Sequence, residues 1–547
     1  MESFTPQLLL SLKKYSRQQL IQDVTAGIIV AIIALPLSIA LALASGVTPE
    51  QGLYTAIVAG FLISALGGSK VQIAGPTAAF ATIVAGIVMK HGMDGLAAAT
   101  VLAGIILIIM GVLRLGSLIK FIPYTITTGF TSGIAVTIFI GQIKDFMGLT
   151  FEKAPVETME KLEQVIVCIG TVNLTAVGVG LLALAILIVW PKFFKKIPPS
   201  LIAVVVTAAL VKVFALPVNT IGNLYTISSS LPSFHVPAFS FELVNAVLPD
   251  AFTIAVLAAI ESLLSCVVAD GMVGGKHNSN MELVAQGVGN AASALFGGIP
   301  ATGAIARTAA NIKNGGRSPV AGMVHALMLL LVLVFLMPYA AMIPMPAIAA
   351  ILFMVAYNMS EWREFIELVK TAPKSDTAVL LLTFFLTVVF DLVLAIGVGL
   401  VLASLLFMKR MADVSDIYGW KYEETYDEEA DHDRIALKPV PDNVMVFEIN
   451  GPMFFGAADK ISTIPFDKGK NVLILRMRSV PAMDATALNS LRQLFNRCKR
   501  NQIRLILSHV NEQPMSALKK AGLDAEIGEA NFASCIDDAL ERAKGEV

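Results

Sequence analysis

The chain has 547 residues, 56% of them hydrophobic and 15% charged, with a mean hydropathy of +0.74. Such a composition excludes a soluble globular protein of this length and indicates a polytopic membrane protein. A net charge of −1 carries no signal for nucleic acid, and the four cysteines (Cys168, Cys266, Cys498, Cys535) show neither metal spacing nor a disulfide framework.

Residues 1–19 read as an N-terminal cytoplasmic segment. Lys13, Lys14 and Arg17 precede the first long apolar run, which lacks the small-residue cleavage site of a signal peptide and is expected to be a retained span. Apolar runs near spanning length recur from Leu20 to Met408, so a transmembrane domain over 20–410 is expected. Pro36-Leu37-Ser38 lies midway along span one. The proline frees a backbone carbonyl and is expected to kink the helix. Ser38 is a candidate to line a site; a helix-facing serine without a role is an equal alternative.

Two matched interruptions follow. Ala65-Leu66-Gly67-Gly68 ends an apolar run and opens about nine non-helical residues (69–77); Ala294-Leu295-Phe296-Gly297-Gly298 does the same ahead of 299–307. Short small-residue helices resume after each. Gly67 and Gly297 stand 230 residues apart, close to half the membrane region. Broken backbone at membrane depth is tolerated only against protein or a polar cavity. At the same rank in two halves, it marks a transporter's substrate site. The alternative is loop punctuation by both Gly-Gly pairs.

Lys and Arg collect on cytoplasmic connections. They occur before span one, at Lys70, Arg114 and Lys120, at Lys192, Lys195 and Lys196, and at Lys276. They recur at Lys313 and Arg317, at Arg363, Lys370 and Lys374, and at Lys409 and Arg410, while 213–275 holds none. Lys90, Lys153 and Lys161 are exceptions. Recurrence after every second span predicts fourteen elements with both termini inside. The halves, about 20–215 and 248–410, then hold seven elements each, and an odd number inverts the second relative to the first.

Glu261 is the one charged side chain in the run Ala251–Val268. A carboxylate at that depth is a functional candidate by default, here a proton carrier. The alternative is a buried protonated glutamate bonded to a neighbouring helix. Ser265, four residues on, shares its face. Arg307 opens the short helix after the second break, where orphan N–H groups and the dipole already favour an anion. Its guanidinium adds a fixed charge suited to carboxylate or sulfate; alternatively it neutralises Glu261, and both roles can hold at different stages of a cycle. Thr77 opens the facing helix behind Pro76. One cation and two facing helix ends suit an anionic substrate. Lys276–Leu283 reads as a cytoplasmic cap, with His277 in a loop contact, and Gln286–Asn290 as part of a close-packed helix.

From Asp442, strands are expected at Val444–Glu448, Val472–Arg476 and Ile503–Leu507, and helices at Thr486–Lys499 and Ile536–Lys544. This is one small α/β domain, 442–547, joined through a charged linker at 411–441. Asp484 follows a strand and opens a helix; the favoured reading is a helix cap.

The stretch AIESLLSCVVADGM…KHNSNMELVAQGVGNAASALFGGIPATGAIARTAANIKNGG, with GPTAAF at 75–80, resembles the SulP anion transporter family, and the resemblance extends over essentially the whole chain, including a C-terminal STAS domain. It implies a polytopic α-helical fold of fourteen segments as a seven-plus-seven inverted repeat, UraA-like, with core and gate domains, moving elevator-fashion in a homodimer. Substrate is then expected between the third and tenth segments, lined by Ser38, Thr77, Ala78, Gly303, Ala304, Ile305 and Arg307, with Ser265 nearby. Sodium-coupled bicarbonate members place Asp at the Glu261 position and Thr at those of Ser265 and Ile305, and lack the arginine. Sulfate-type members tend to carry Pro-Gln and a Tyr where this chain has Pro36-Leu37 and Leu41. The nearest resemblance is to the bacterial aerobic C4-dicarboxylate (DauA-like) subgroup, which implies succinate or fumarate as substrate and Glu261 as carrier of the coupling proton. Asp484 lies where STAS domains carry their signature loop, so the resemblance implies a regulatory loop at Asp484 and Thr486. In related anti-sigma antagonists a phosphorylatable Ser follows the aspartate. Here the residue after the aspartate is Ala485, with Thr486 adjacent, and the tail is a candidate for binding a cytoplasmic protein.

The leading expectation is a secondary transporter in a bacterial inner membrane, symporting a proton with a dicarboxylate. Exchange or sodium symport of sulfate or bicarbonate is the second, and a channel-like or sensory protein the third. No Gly-x-x-x-x-Gly-Lys-Ser/Thr loop occurs, which disfavours an enzyme or ATP-driven pump. No cofactor, metal or nucleic-acid partner is expected.

Overall fold

The computed structural model describes residues 4–544 except 14, 118–121, 153–154, 156, 195–196, 238–239, 391 and 420–438. Lys14, Lys120, Lys153, Lys195 and Lys196 of the charge pattern, and most of the linker, lie outside the described residues. Two compact units result, Met1–Leu400 and Val401–Val547.

The first half of the membrane unit runs α1 (Gln7–Leu12), α2 (Arg17–Ala44), α3 (Pro49–Leu66), β1 (Ala74–Gly75), a single 3-10 turn (Ala78–Phe80), α4 (Ala81–Val112), α5 (Tyr124–Met147), α6 (Thr158–Val167), α7 (Leu174–Phe193) and α8 (Pro199–Val213). A short α9 (Ile221–Leu224) leads to the second half: α10 (Phe241–Val273), α11 (Ser279–Leu295), β2 (Thr302–Gly303), α12 (Ile305–Lys313), α13 (Val320–Ala340), α14 (Met345–Ser360), α15 (Trp362–Thr371), α16 (Lys374–Val389) and α17 (Leu392–Val414). Local chemistry sets several of these ends. Ser16 caps α2 through Gln19 N–H, Asn278 caps α11 through Met281 N–H, and Gly148 and Gly274 close α5 and α10 in the left-handed conformation. Pro36 sits inside a continuous α2, so the chain loses one ladder bond there and remains helical.

Among the described residues, seven helices are long and apolar enough to cross a membrane. Gly92, at φ 68, divides α4 into two parts. With those parts and the shorter helices, the described residues form seven segments (α2, α3, both parts of α4, α5, α7, α8) and then seven more (α10–α14, α16, α17). Helices α2–α4 and α10–α13 pack mainly on one another, and α5, α7, α8, α14 and α16 form a second group. Small residues permit the tightest crossing. A Cβ at Gly104 would meet the Gly287 carbonyl oxygen at 2.6 Å, and one at Gly287 would meet the Gly104 oxygen at 2.5 Å. In lipid, such close approach replaces the hydrophobic drive between helices.

The second unit holds one five-stranded sheet, β3 (Asp416–Gly419), β4 (Val444–Asn450), β5 (Val472–Ser479), β6 (Arg504–Ser508) and β7 (Phe532–Ala533), in sequential order. β3 lies antiparallel to β4, and the other pairs are parallel. Helices α18 (Asp459–Ser462), α19 (Ala485–Arg500), α20 (Glu512–Lys520) and α21 (Leu523–Ile527) cover one face, where Leu473 and Leu475 meet Leu491, Leu494, Leu518 and Leu523. α22 (Ile536–Lys544) covers the other, through Ile474, Ile506, Ile536 and Leu540. The structure differs from the sequence reading at β3, which lies in the stretch assigned to the linker. Four residues are too few to show alternation, and only Ile417 packs on the apolar cluster.

Candidate functional site

After the Gly-Gly pairs, the chain leaves helical geometry over residues 67–77 and 296–304. The two strands so formed meet at the centre of the first helix group. β1 pairs antiparallel with β2, with Ala74 opposite Gly303 and Gly75 opposite Thr302. The ladder continues where Ala304 N–H donates to the Ile73 carbonyl at 2.9 Å.

Buried side chains satisfy several of the remaining backbone groups, which need partners at this depth. Thr308 accepts from Ile73 N–H at 3.0 Å, and Asn311 donates to the Val71 carbonyl at 2.8 Å. Asn290 donates to the Ala301 carbonyl and accepts from the Ala301 N–H, at 2.9 and 2.8 Å. Thr55 accepts from Ile299 N–H at 2.7 Å. The Glu282 carboxylate accepts from Gly68 N–H at 2.9 Å, Ser69 N–H at 3.2 Å and Gln286 at 3.0 Å. Sequence reasoning missed these residues. It placed Glu282 in a cytoplasmic cap, whereas Glu282 is buried in α11. The available signal was the spacing of Glu282, Gln286 and Asn290, four residues apart along one helical face.

Each break ends at a helix start. Thr77 is the N-cap of the 3-10 turn leading into α4, and Ala304 is the N-cap of α12. Neither N-cap side chain accepts a hydrogen bond from its own helix, so the first N–H groups keep their anion-binding potential. Instead, Thr77 Oγ1 donates to Glu261 Oε2 at 2.9 Å. Arg307 is buried, and its Nη2 donates to the Pro76 carbonyl. Its Nη1 is also buried and has no hydrogen-bond partner among the described residues. Glu261 and Arg307 therefore both engage the end of the first break, one residue apart. Glu261 bonds to Thr77 here, while Arg307 bonds to Pro76 rather than to Glu261.

Other expected residues fall nearby. Ala78 and Gly303 are buried, Thr77, Glu261 and Ala304 are half-buried, and Ile305 is exposed. Ser265 is buried and donates to Thr308 at 3.3 Å, behind the β1–β2 pair. Ser38 is fully buried, and its hydroxyl has no hydrogen-bond partner among the described residues. The close approach at Gly75 is specific. A Cβ there would lie 2.5 Å from Arg307 Nη1. At Gly303 a Cβ would collide with Gln72, whose amide is tied to the Ser262 carbonyl and to Cys266. In the second unit Asp484 caps α19 through Ala487 N–H and also accepts from Phe455 N–H, while Thr486 is exposed.

Residues 20–383 match the sulfate permease family, and residues 436–539 match the STAS domain. The provisionally named sulfate transporter YvdB of Bacillus subtilis is 41% identical over 95% of this chain and 97% of its own length. The bicarbonate transporter BicA of Picosynechococcus is 32% identical, covering 85% of this chain and 84% of that protein. The structure of the murine Solute Carrier 26 member A9 anion transporter in an inward-facing state superimposes with a TM-score of 0.88, at 18% identity, over 99% of this chain and 94% of that one.

Proposed function

The chain belongs to the sulfate permease family, and we propose that this anion transporter symports a proton with a C4-dicarboxylate such as succinate or fumarate. The observation that carries the reading is the joining of Glu261 and Arg307 to the end of the first break, beside two uncapped helix starts. Two helix N-termini offer one donor set to each carboxylate of a dicarboxylate, and Arg307 supplies a fixed positive charge behind them. Glu261, when ionised, places a negative charge beside that pocket and repels the substrate. When protonated, it removes the repulsion. Proton and anion are thus taken up together and released together, which is symport by electrostatic linkage.

In this reading α2–α4 and α10–α13 carry the site across the membrane against the group containing α5, α7, α8, α14 and α16. The protein works as a homodimer in a bacterial inner membrane. Both termini and the STAS domain (442–547) face the cytoplasm, with Asp484 and Thr486 forming a loop for a regulatory protein.

Sulfate or bicarbonate, by exchange or sodium symport, is the second reading. The names of YvdB and BicA favour it. Uptake of labelled succinate, sulfate and bicarbonate into proteoliposomes, under an imposed proton or sodium gradient, separates the two. Proton-driven succinate accumulation is expected, with Glu261→Gln losing accumulation and retaining counterflow. Sodium-driven bicarbonate uptake without succinate uptake would overturn the reading.

A further inference from the structure

One helix of the membrane unit has no part in the transport reading. α15 carries Trp362, Phe365, Ile366, Leu368 and Val369 on one face and its four charged residues on the other. Phe365 and Leu368 are half-buried, and the Phe365 ring lies 5.2 Å from that of Phe384 on α16. Trp362, Ile366 and Val369 point away from the protein, with 45, 42 and 38% exposure. Protein therefore covers one edge of the apolar face and leaves the rest bare.

The chain fixes the depth of this strip. Glu361 alone, in the left-handed region at φ 41, separates α15 from α14, and Ala372-Pro373 alone separate it from α16. Lys374 and Asp376 open α16 ahead of its apolar run. A helix tied so closely between two spans lies where both end, at the boundary of bilayer and water. Ten residues make a helix about 15 Å long, which lies in the interfacial plane with its apolar face toward the acyl chains. Trp362 Nε1 donates to Tyr357 Oη at 3.4 Å, so two amphipathic rings of the kind that favour this level meet there.

The polar side is sorted by charge. At roughly 100° per residue, Lys370 and Arg363 lie about 40° and 60° round the helix from Ile366, bordering the bare strip, whereas Glu367 and Glu364 lie about 100° and 160° away. Arg363 also stands over the Trp362 ring, 5.4 Å from its centroid, which holds one cation at the level of the interface. Among the described residues neither Arg363 nor Lys370 enters an ion pair. Two cations bordering an apolar strip match a lipid with a negative headgroup. A soluble protein would reach this strip only by displacing the bilayer.

We propose that α15 is an interfacial helix that binds anionic phospholipid, with Arg363 and Lys370 on the headgroup phosphate and Trp362, Ile366 and Val369 among the upper acyl chains. The site belongs to the helix group of α5, α14 and α16, which it holds at a set depth while the other group moves. Binding of the lipid itself does not rest on the substrate reading.

Two measurements test this on the purified full chain, in phosphatidylcholine vesicles containing a minor share of phosphatidylglycerol. Trp190→Phe and Trp420→Phe leave Trp362 as the one tryptophan. Its fluorescence should be quenched more by lipid brominated near the headgroup than near the acyl-chain end, and little by aqueous iodide. Strong quenching by iodide, none by either lipid, or stronger quenching from the chain end overturns the proposal. In the second measurement either phosphatidylglycerol or phosphatidylcholine carries the bromine. About fivefold greater quenching per labelled molecule is expected from phosphatidylglycerol, falling to parity in the double variant Arg363→Gln/Lys370→Gln. Equal quenching by both lipids before that change, or a preference that survives it, overturns the proposal. Neither measurement uses a transported anion, so the symport reading fails or stands separately.

Discussion

At Gly75 one hydrogen atom separates a working arginine from a displaced one. A methyl group there would stand 2.5 Å from Arg307 Nη1, closer than packed atoms approach, with the Cα of Ala56 behind it. Gly75→Ala is therefore expected to push the guanidinium off Pro76 and weaken anion affinity by about tenfold, equivalent to ~1.4 kcal/mol, in a protein that still folds. Isothermal titration with succinate and sulfate reads this directly, and unaltered affinity would show that Arg307 serves packing alone. The same scale explains a difference within the STAS domain. Cys498 is buried in α19, and burial pushes its thiol up to about 11, so at pH 8 only roughly a thousandth is thiolate. Because a raised thiol stays neutral below its pKa, alkylation at pH 8 should modify the half-buried Cys535 and spare Cys498 until the domain unfolds. Mass spectrometry of the labelled peptides checks the order.

Among the elements, α11 carries two faces with separate duties. Gly287 lets α4 approach until backbone meets backbone, and Glu282, Gln286 and Asn290 supply the partners that both broken segments lack. Losing such a partner leaves buried amides unpaired at about 1–3 kcal/mol each. Glu282→Ala removes the acceptor of two amides, Gly68 and Ser69, and is expected to lower the melting temperature sharply. Gly287→Val should do the same through overpacking against Gly104 and Ile108. A thermal scan of the detergent-purified variants distinguishes either effect from a loss confined to transport. Part of this was visible in the chain. The breaks, the resumed helices and the close-packed stretch follow from glycine placement and residue size. The clamp by Glu282 was not visible, because nothing in a linear pattern says which backbone amides a buried carboxylate will meet 214 residues away.

For the whole molecule, the two helix groups set the expected motion. If the group with the breaks moves as one body, the proposed substrate site faces each side in turn. A cysteine at Ala304, in a background without native cysteines, should then react with a membrane-impermeant thiol reagent from both sides of the membrane, and substrate should change both rates. Labelling from one side alone, with and without substrate, would argue against such movement.

The sequence by itself determined the class of molecule. Apolar runs of spanning length, basic residues after every second one and a Gly-Gly break at the same rank of each half are one-dimensional signals, because bilayer thickness and backbone solvation act on every segment separately. They led to a membrane protein of two related halves, to the two breaks and to Glu261 and Arg307. Only the tertiary structure decided what those residues touch. Glu261 bonds to Thr77 and Arg307 to Pro76, and Glu282, Asn290 and Thr55 close the breaks. Hydrogen-bond partners are chosen by direction and distance across helices far apart in sequence, and the packing of the two halves alone sets those.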